Sequence, residues 1–539
     1  MAYVGIAWHY LFFHHHQKIK LKVHIRNGGW MFSPQRYYYI VFDSTMDCKQ
    51  SGPSSIQRWP GLRRVREVVF KDGLRKIGRE AFRDYTSLES IALPSTVVEI
   101  GVRAFFGCKN LREITFNGGL KKIGYCAFSK CGSLESITIP STVIEIGDNA
   151  FDTCVNLREV ELNDGLQNIG REAFYNCKSL ENITLPTTVT EIGHCAFFCC
   201  LNLRAVTFNN GLQKIGDNAF LSCKSLESIT LPSTVTDIGI NAFGSCRNLR
   251  EVILNEGLQK IGKSAFSNCS SLERITLPFT LVEISDNAFS GCRNLREITF
   301  NDGLQKIELG AFSSCTSLKR IKLPSTLVEI GESAFNGCPN LSVVIFNDGL
   351  QKIGINAFFN CKSLKSIKLP HTVVEIGNCA FSHCRNLRDV ELNGVPQNLE
   401  SRAFHNCDAL ERFLFPTISY RLGKIIQTSH WEELEDKVNQ VRGVVQWESD
   451  ELFVPREIVE PRLTRFHNFI WIGLRRDFGR ITRLVSYYEL KEATTMFELA
   501  LWKSKLDQAD ASNTSNRSAY RIDVPGPVKN LMLQYLDHS

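Results

Sequence analysis

The sequence predicts an α/β repeat fold: a solenoid of stacked units, each a strand, a turn and an irregular or short helical return, closed at its C-terminal end by helices. Three observations lead there. Phenylalanines recur from Phe82 through Phe105, Phe128 and Phe151 to Phe404 at an unvarying interval of 23 residues. Apolar and polar residues alternate ahead of a glycine turn in each interval, and a cysteine follows most of the phenylalanines three residues later. A fixed period of this length marks units that cannot bury an apolar face alone and must stack on their neighbours.

The stretch from Leu157 to Pro186 shows the elements in order. Leu157, Val160 and Leu162 fall where a short strand points them inward, with Glu159 and Glu161 alternating outward. Asn163, Asp164 and Gly165 supply the turn, because glycine accepts positive φ without steric cost. Leu166, Ile169, Ala173, Phe174 and Cys177 follow at spacings of three to five, which suits an irregular or short helical return. The next unit, from Leu180, ends its strand at Pro186, which can neither extend a ladder nor continue a helix. Two unit types therefore alternate. One carries Asn117, Asn163, Asn209, Asn255, Asn301 and Asn347; the other carries Pro94, Pro186, Pro232, Pro278, Pro324 and Pro370. Because turn asparagines recur only in every second unit, they cannot form a continuous ladder, and threonine or backbone groups must close the alternate rungs.

The pattern L-x-x-I-x-L-P followed by I-G-x-x-A-F-x-x-C, kept in one register over residues 62–416, resembles the short leucine-rich repeat named after BspA, a bacterial surface protein. The resemblance implies a parallel β-sheet on a concave face and irregular or helical connections on the convex side. About sixteen rungs at a strand spacing of about 4.8 Å would span roughly 75–80 Å. The chain then divides into a poorly defined leader (1–55), the array (62–416) and a mainly helical C-terminal cap or module (417–539). In that last part Ser429 and Glu432 form a capping box ahead of a stripe of Trp431, Leu434, Val438 and Val441. A second helix is expected through Ile481, Leu484, Tyr488, Phe497 and Leu501. The segments KEATTMFELALWKSKLDQAD and VPGPVK resemble the tail of leucine-rich repeat proteins from microalgae, especially diatoms.

Composition narrows the function classes. A net charge of +7 without a block of five like charges gives no charge-based indication of nucleic acid. Of 19 cysteines, fourteen hold the same place in their units, from Cys108 to Cys407. Stacked neighbours would have Cβ atoms about 4.8 Å apart, beyond the 3.5–4.5 Å of a disulfide, so a ladder of structural thiols is expected. Free thiol in this quantity suits a reducing compartment, hence a cytoplasmic location. The alternative is a surface or membrane association through the N-terminal apolar stretch, although it lacks a basic n-region and a cleavage site and is too short to span a bilayer.

Chemistry has little foothold. The clusters His194, Cys195, Cys199, Cys200 and Cys379, His383, Cys384 lack the two separated pairs of a structural zinc site, and repeat positions that happen to be cysteine account for them. With no nucleophile, phosphate-binding or dinucleotide motif, no catalytic, metal or cofactor residue is assigned. The outward strand residues are the candidates for binding: Glu159, Glu161, Glu251, Arg274, Glu297, Arg320, Lys322 and Lys368. Acidic and basic rungs alternate from about Glu251 onward, so that neighbours could satisfy one another across the sheet. The reading is a non-enzymatic recognition or scaffolding protein with a protein partner, a glycan being the other candidate. Against it stand an enzyme or regulator working through residues 417–539, with the array recruiting its substrate, and a surface protein of adhesion type.

Overall fold

The computed structural model describes residues 7–12, 18–26, 37–42, 65–70, 74–394, 396–400, 402–414, 446–448 and 451–454. Each 23-residue unit forms one turn of a parallel β-solenoid. The first strand of a unit is three or four residues long, as in Ser136–Ile139, Glu159–Leu162 and Asn182–Thr184, and pairs in parallel with the same positions of the next unit: Glu159 faces Ser136 on one side and Asn182 on the other. Its pleat puts Val160 into the core and leaves Glu159 and Glu161 in solvent. This is the alternation expected of a sheet with one buried face.

The return takes the irregular of the two expected forms. Among the described residues it contains no helix; it opens with a second short strand and then runs through turns. Asn168–Ile169 pairs in parallel with Glu145–Ile146 and Glu191–Ile192, and the series continues from Lys76–Ile77 to Asn398–Leu399. The reason lies in two residues per unit with left-handed backbone, one on either side of the phenylalanine. In the unit that begins at Leu157 these are Glu172 (φ 55°) and Asn176 (φ 59°), and the same two places recur along the chain. Two such residues four positions apart break any α-helix. Between strand and turn, Gly170 lies against the preceding rung so closely that a Cβ there would sit 2.7 Å from the Asp148 nitrogen and the Ile146 oxygen. A side chain there requires neighbouring backbone to give, as it must where Ser285 and Glu308 hold the equivalent place.

A continuous apolar core fills the space between the two strand series. Leu157, Leu166, Ala173, Phe174 and Cys177 are fully buried, and the same places are buried in the other units. The phenylalanines form one stack from Phe82 to Phe404, with neighbouring ring centroids 5.1–5.4 Å apart and planes within 10° of parallel. The thiol ladder is present and unbridged: each described cysteine is free, and the Sγ of Cys177 donates to the carbonyl of Phe151 at 3.2 Å. Rung closure also follows the expected division of labour. Thr142, Thr188, Thr234 and Thr280 in the proline-type units donate through Oγ1 to the carbonyls of Leu120, Leu166, Leu212 and Leu258. In the asparagine-type units the Asn163 side-chain amide donates to the Ile139 carbonyl at 2.9 Å.

Antiparallel strands stand at both ends of the first sheet series. Ala7–Phe12, Lys18–Arg26 and Tyr37–Phe42 form an antiparallel meander whose last strand runs parallel to Val65–Phe70. At the other end Glu451–Val454 pairs antiparallel with Arg412–Leu414 and with Gln446–Glu448. Such additions cover backbone groups that an open edge would offer to another chain. The helices expected around 429–441 and 481–501 lie outside the described residues. Among the described residues no helix is long and apolar enough to cross a membrane.

Candidate interaction surface

Stacking turns the outward positions of the first strands into columns, each 23 residues apart along the chain. All eight candidates lie on this face and are exposed. Glu161 accepts a hydrogen bond from Thr138 on the preceding rung at 3.0 Å, and Glu159 lies between Ser136 and Asn182. Arg274 faces Glu297 in register and pairs with it at 3.8 Å, with both side chains mostly in solvent. Lys368 reaches Glu391 at 2.7 Å. These pairs follow the expected alternation of charge; Glu251, Arg320 and Lys322 make no ion pair among the described residues. Arg320 and Lys322 face Val343 and Ile345 instead.

Two charged columns escaped the sequence reading. One precedes the first strand and alternates Arg66, Glu89, Arg112, Glu135 and onward to Glu273 and Arg296; its ends pair at 3.3 Å (Arg66–Glu89) and 3.9 Å (Arg296–Glu273). The other lies on the second sheet, where Lys76 pairs with Glu99, Lys122 with Glu145, Lys214 with Glu191, and Lys352 with both Glu329 and Glu375. Its signal was available in the alternation of K-I-G with E-I-G at the 46-residue period. Without the second strand, nothing in the sequence placed those residues opposite one another.

The metal-like clusters dissolve on inspection of their places. Cys195 and Cys199 occupy the two left-handed positions of their unit (φ 54° and 57°), while the Sγ of Cys200 is engaged by the Phe174 carbonyl at 3.3 Å. Among the described residues no group of three or more histidine, cysteine, aspartate or glutamate side chains is arranged to hold a metal ion. Burial drives the core thiols upward, to about 12 for Cys246, Cys292, Cys338 and Cys384, so they stay protonated and are poor nucleophiles at neutral pH.

A family profile described as BspA type leucine rich repeat region matches residues 62–181, 144–272, 236–364 and 328–426, together well over half of the chain. The chain belongs to the BspA-type leucine-rich repeat family. No curated protein matches it. Among solved structures, this BspA-type chain is similar to a leucine-rich repeat protein from Bacteroides ovatus at 31% identity, covering 65% of this chain and 94% of that one with a TM-score of 0.49. It is also similar to a leucine-rich cell surface protein from Faecalibacterium prausnitzii (24% identity, 72% and 92% coverage, TM-score 0.35). A third is the Treponema pallidum leucine-rich repeat protein (28% identity, 45% and 87% coverage, TM-score 0.24). The BspA-type match ends at 426, so the diatom-like tail lies beyond it and outside the described residues.

Proposed function

We propose that this BspA-type protein is a non-enzymatic interaction protein that recognises a protein partner through the outward face of its first strand series. One observation carries the reading. Inward positions of that sheet hold isoleucine or valine in rung after rung, whereas the first outward position changes from Glu159 to Asn182, Ala205, Ser228, Glu251, Arg274 and Val343. A fold that needs only the inward residues leaves the outward ones available for recognition, and solenoids present such faces as extended binding surfaces. The ion pairs on this face are exposed, and pairs of that kind contribute about 0–1 kcal/mol, so the surface can exchange them for a partner's groups at little cost. The free thiols along the core favour a reducing, cytoplasmic setting for this function.

The test is affinity capture from lysate of the source organism with the full chain and two variants. In the first, Glu159, Glu161, Glu251, Arg274, Glu297, Arg320, Lys322 and Lys368 become alanine; in the second, Glu99, Lys122, Glu191, Lys214, Glu329 and Lys352 on the other sheet do. A partner lost with the first and kept with the second supports the reading. Capture that is indifferent to the first variant, or absent with the wild-type chain, refutes it.

A further inference from the structure

The repeat breaks its own charge rule in three consecutive rungs. In the column before the first strand, arginine and glutamate alternate from Arg66 to Arg296; the following places are Lys319, Ser342 and Lys365, and the alternation resumes with Arg388 and Glu411. Within the strands the same rungs carry Arg320 and Lys322, then Val343 and Ile345, then Ser366 and Lys368. Of the proline-type rungs before them, two have serine and threonine at these two places, Ser136 with Thr138 and Ser228 with Thr230, and the second place is also threonine beside Asn182 and Arg274. The preceding asparagine-type rung has Glu297 and Thr299 where this one has Val343 and Ile345. Glutamates have thus become lysines on both flanking rungs, and the glutamate of the middle rung has become an exposed valine.

The outcome is an outward patch of Lys319, Arg320, Lys322, Lys365 and Lys368 with no carboxylate among residues 319–322, 342–345 and 365–368. Only Lys368 has an acidic partner, Glu391 on the next rung at 2.7 Å; the other four make no ion pair among the described residues. In the middle, Val343 is 38% exposed and Ile345 half-buried. The cationic rungs lie two strand spacings apart, about 9.6 Å, on either side of the apolar one.

We propose that rungs 319–322, 342–345 and 365–368 recognise an acidic, extended segment of a protein partner, one with carboxylates on either side of an apolar side chain. This rests on the protein-interaction reading given above and assigns it a place and a chemistry. An extended chain advances about 3.3 Å per residue. Alternate side chains share a face, so carboxylates four residues apart, about 13 Å, face the surface together with the apolar residue midway between them; that residue covers Val343 and Ile345, and the long lysine, arginine and glutamate side chains close the remaining few ångströms to the cationic rungs. A uniform polyanion, such as a sulfated glycan or a nucleic acid strand, would meet the cations but gain nothing from the apolar rung.

The experiment measures fluorescence anisotropy of a labelled peptide of about twelve residues, in which valines are flanked by pairs of glutamates, titrated with the full chain. Two variants separate the contributions: K319E/R320S/K322T takes the residues that Glu135, Ser136 and Thr138 supply in an earlier proline-type rung, and V343T/I345T removes the apolar centre while keeping β-branched residues. The first should weaken peptide binding about tenfold or more, and the second several-fold, with unchanged thermal midpoints. A heparin fragment and single-stranded DNA should bind more weakly than the peptide and be indifferent to V343T/I345T. Peptide binding that survives K319E/R320S/K322T overturns the proposal, as does a polyanion that binds more tightly than the peptide. Absence of peptide binding to the wild-type chain overturns the acidic-segment assignment alone; the broader reading falls only with the capture experiment.

Discussion

The Sγ of Cys246 donates to the carbonyl oxygen of Phe220, 26 residues earlier, at 3.3 Å. The same bond recurs from Cys108 on Phe82 to Cys407 on Phe381, so each thiol ties its turn to the one before. The ladder is a set of inter-turn hydrogen bonds in an apolar interior, and the Phe220 carbonyl also accepts from the Cys223 amide at 3.1 Å.

Alkaline pH should undo the ladder. A thiol raised to about 12 in the folded chain, as for Cys246 and Cys384, ionises more readily when unfolded, near 8.5. Its folded pKa is the higher one, so its contribution to stability is fully present below about pH 8.5 and is lost as pH rises towards about 12, at about 1.4 kcal/mol per pH unit for each thiol. Urea unfolding at about pH 8 and about pH 10 should show a large loss at the higher pH. Replacing Cys246, Cys292 and Cys338 by serine should reduce that pH difference; an undiminished difference would assign it to other groups.

Thiol mapping gives a separate check. Cys199 and Cys379 are half-exposed, whereas the ladder thiols are buried. Alkylation of the native protein with iodoacetamide, followed by peptide mass spectrometry, should modify Cys199 and Cys379 well before any ladder thiol. Prompt modification of Cys177 or Cys246 would contradict the packing described.

Close stacking at Gly170 predicts a costly substitution. The Cβ of Gly170→Ala would meet backbone atoms of the preceding rung at 2.7 Å, whereas a Cβ at Gly118 has nothing within 4 Å. Overpacking against backbone should cost about 1–3 kcal/mol for Gly170→Ala, with a change within about 0.5 kcal/mol for Gly118→Ala. Equal thermal midpoints for the two variants would remove the contact argument.

Thr188 serves two backbone groups. Its Oγ1 donates to the Leu166 carbonyl at 2.6 Å and accepts from the Gly165 amide at 3.1 Å. Thr188→Val keeps shape and β-branching but leaves both groups without that partner, a loss of about 1–3 kcal/mol. Thr188→Ser, measured by denaturant unfolding, should recover most of it.

Lys352 lies between Glu329 at 3.8 Å and Glu375 at 3.6 Å on the second sheet. Lys352→Ala should be near neutral, because exposed pairs contribute about 0–1 kcal/mol. Lys352→Glu places three carboxylates in one column and should destabilise by about 1 kcal/mol, a loss relieved in molar salt as the charges are screened. A loss that persists at high salt would point to packing and not to charge.

Much of this molecule is legible in its sequence because a repeat states its rules many times. The interval between Phe82 and Phe105, kept to Phe404, fixes the stack. Val160 between Glu159 and Glu161 fixes which side of the strand faces the core, and the alternation of Asn163 with Pro186 foretells that threonine or backbone groups close the alternate rungs, as Thr188 does. Spacing alone left the return open between an irregular path and a short helix: Leu166, Ile169 and Ala173 are separated as on a helix, yet Ile169 lies on a short strand and Ala173 in a turn. Backbone conformation at Glu172 and Asn176 prevents a helix there, and no side-chain pattern announces it, since lysine, threonine, cysteine and glycine fill the same places elsewhere.

By itself, then, the sequence determined the period, the inward residues and the free thiols, because burial and chain geometry repeat with every unit. Tertiary structure alone decided which outward charges meet. Arg274 finds Glu297, whereas Arg320 finds Val343, because partners 23 residues apart are brought within one strand spacing only when the turns stack. Lys76 and Glu99 likewise become neighbours through a second strand, beside which Gly101 lies close against the preceding rung.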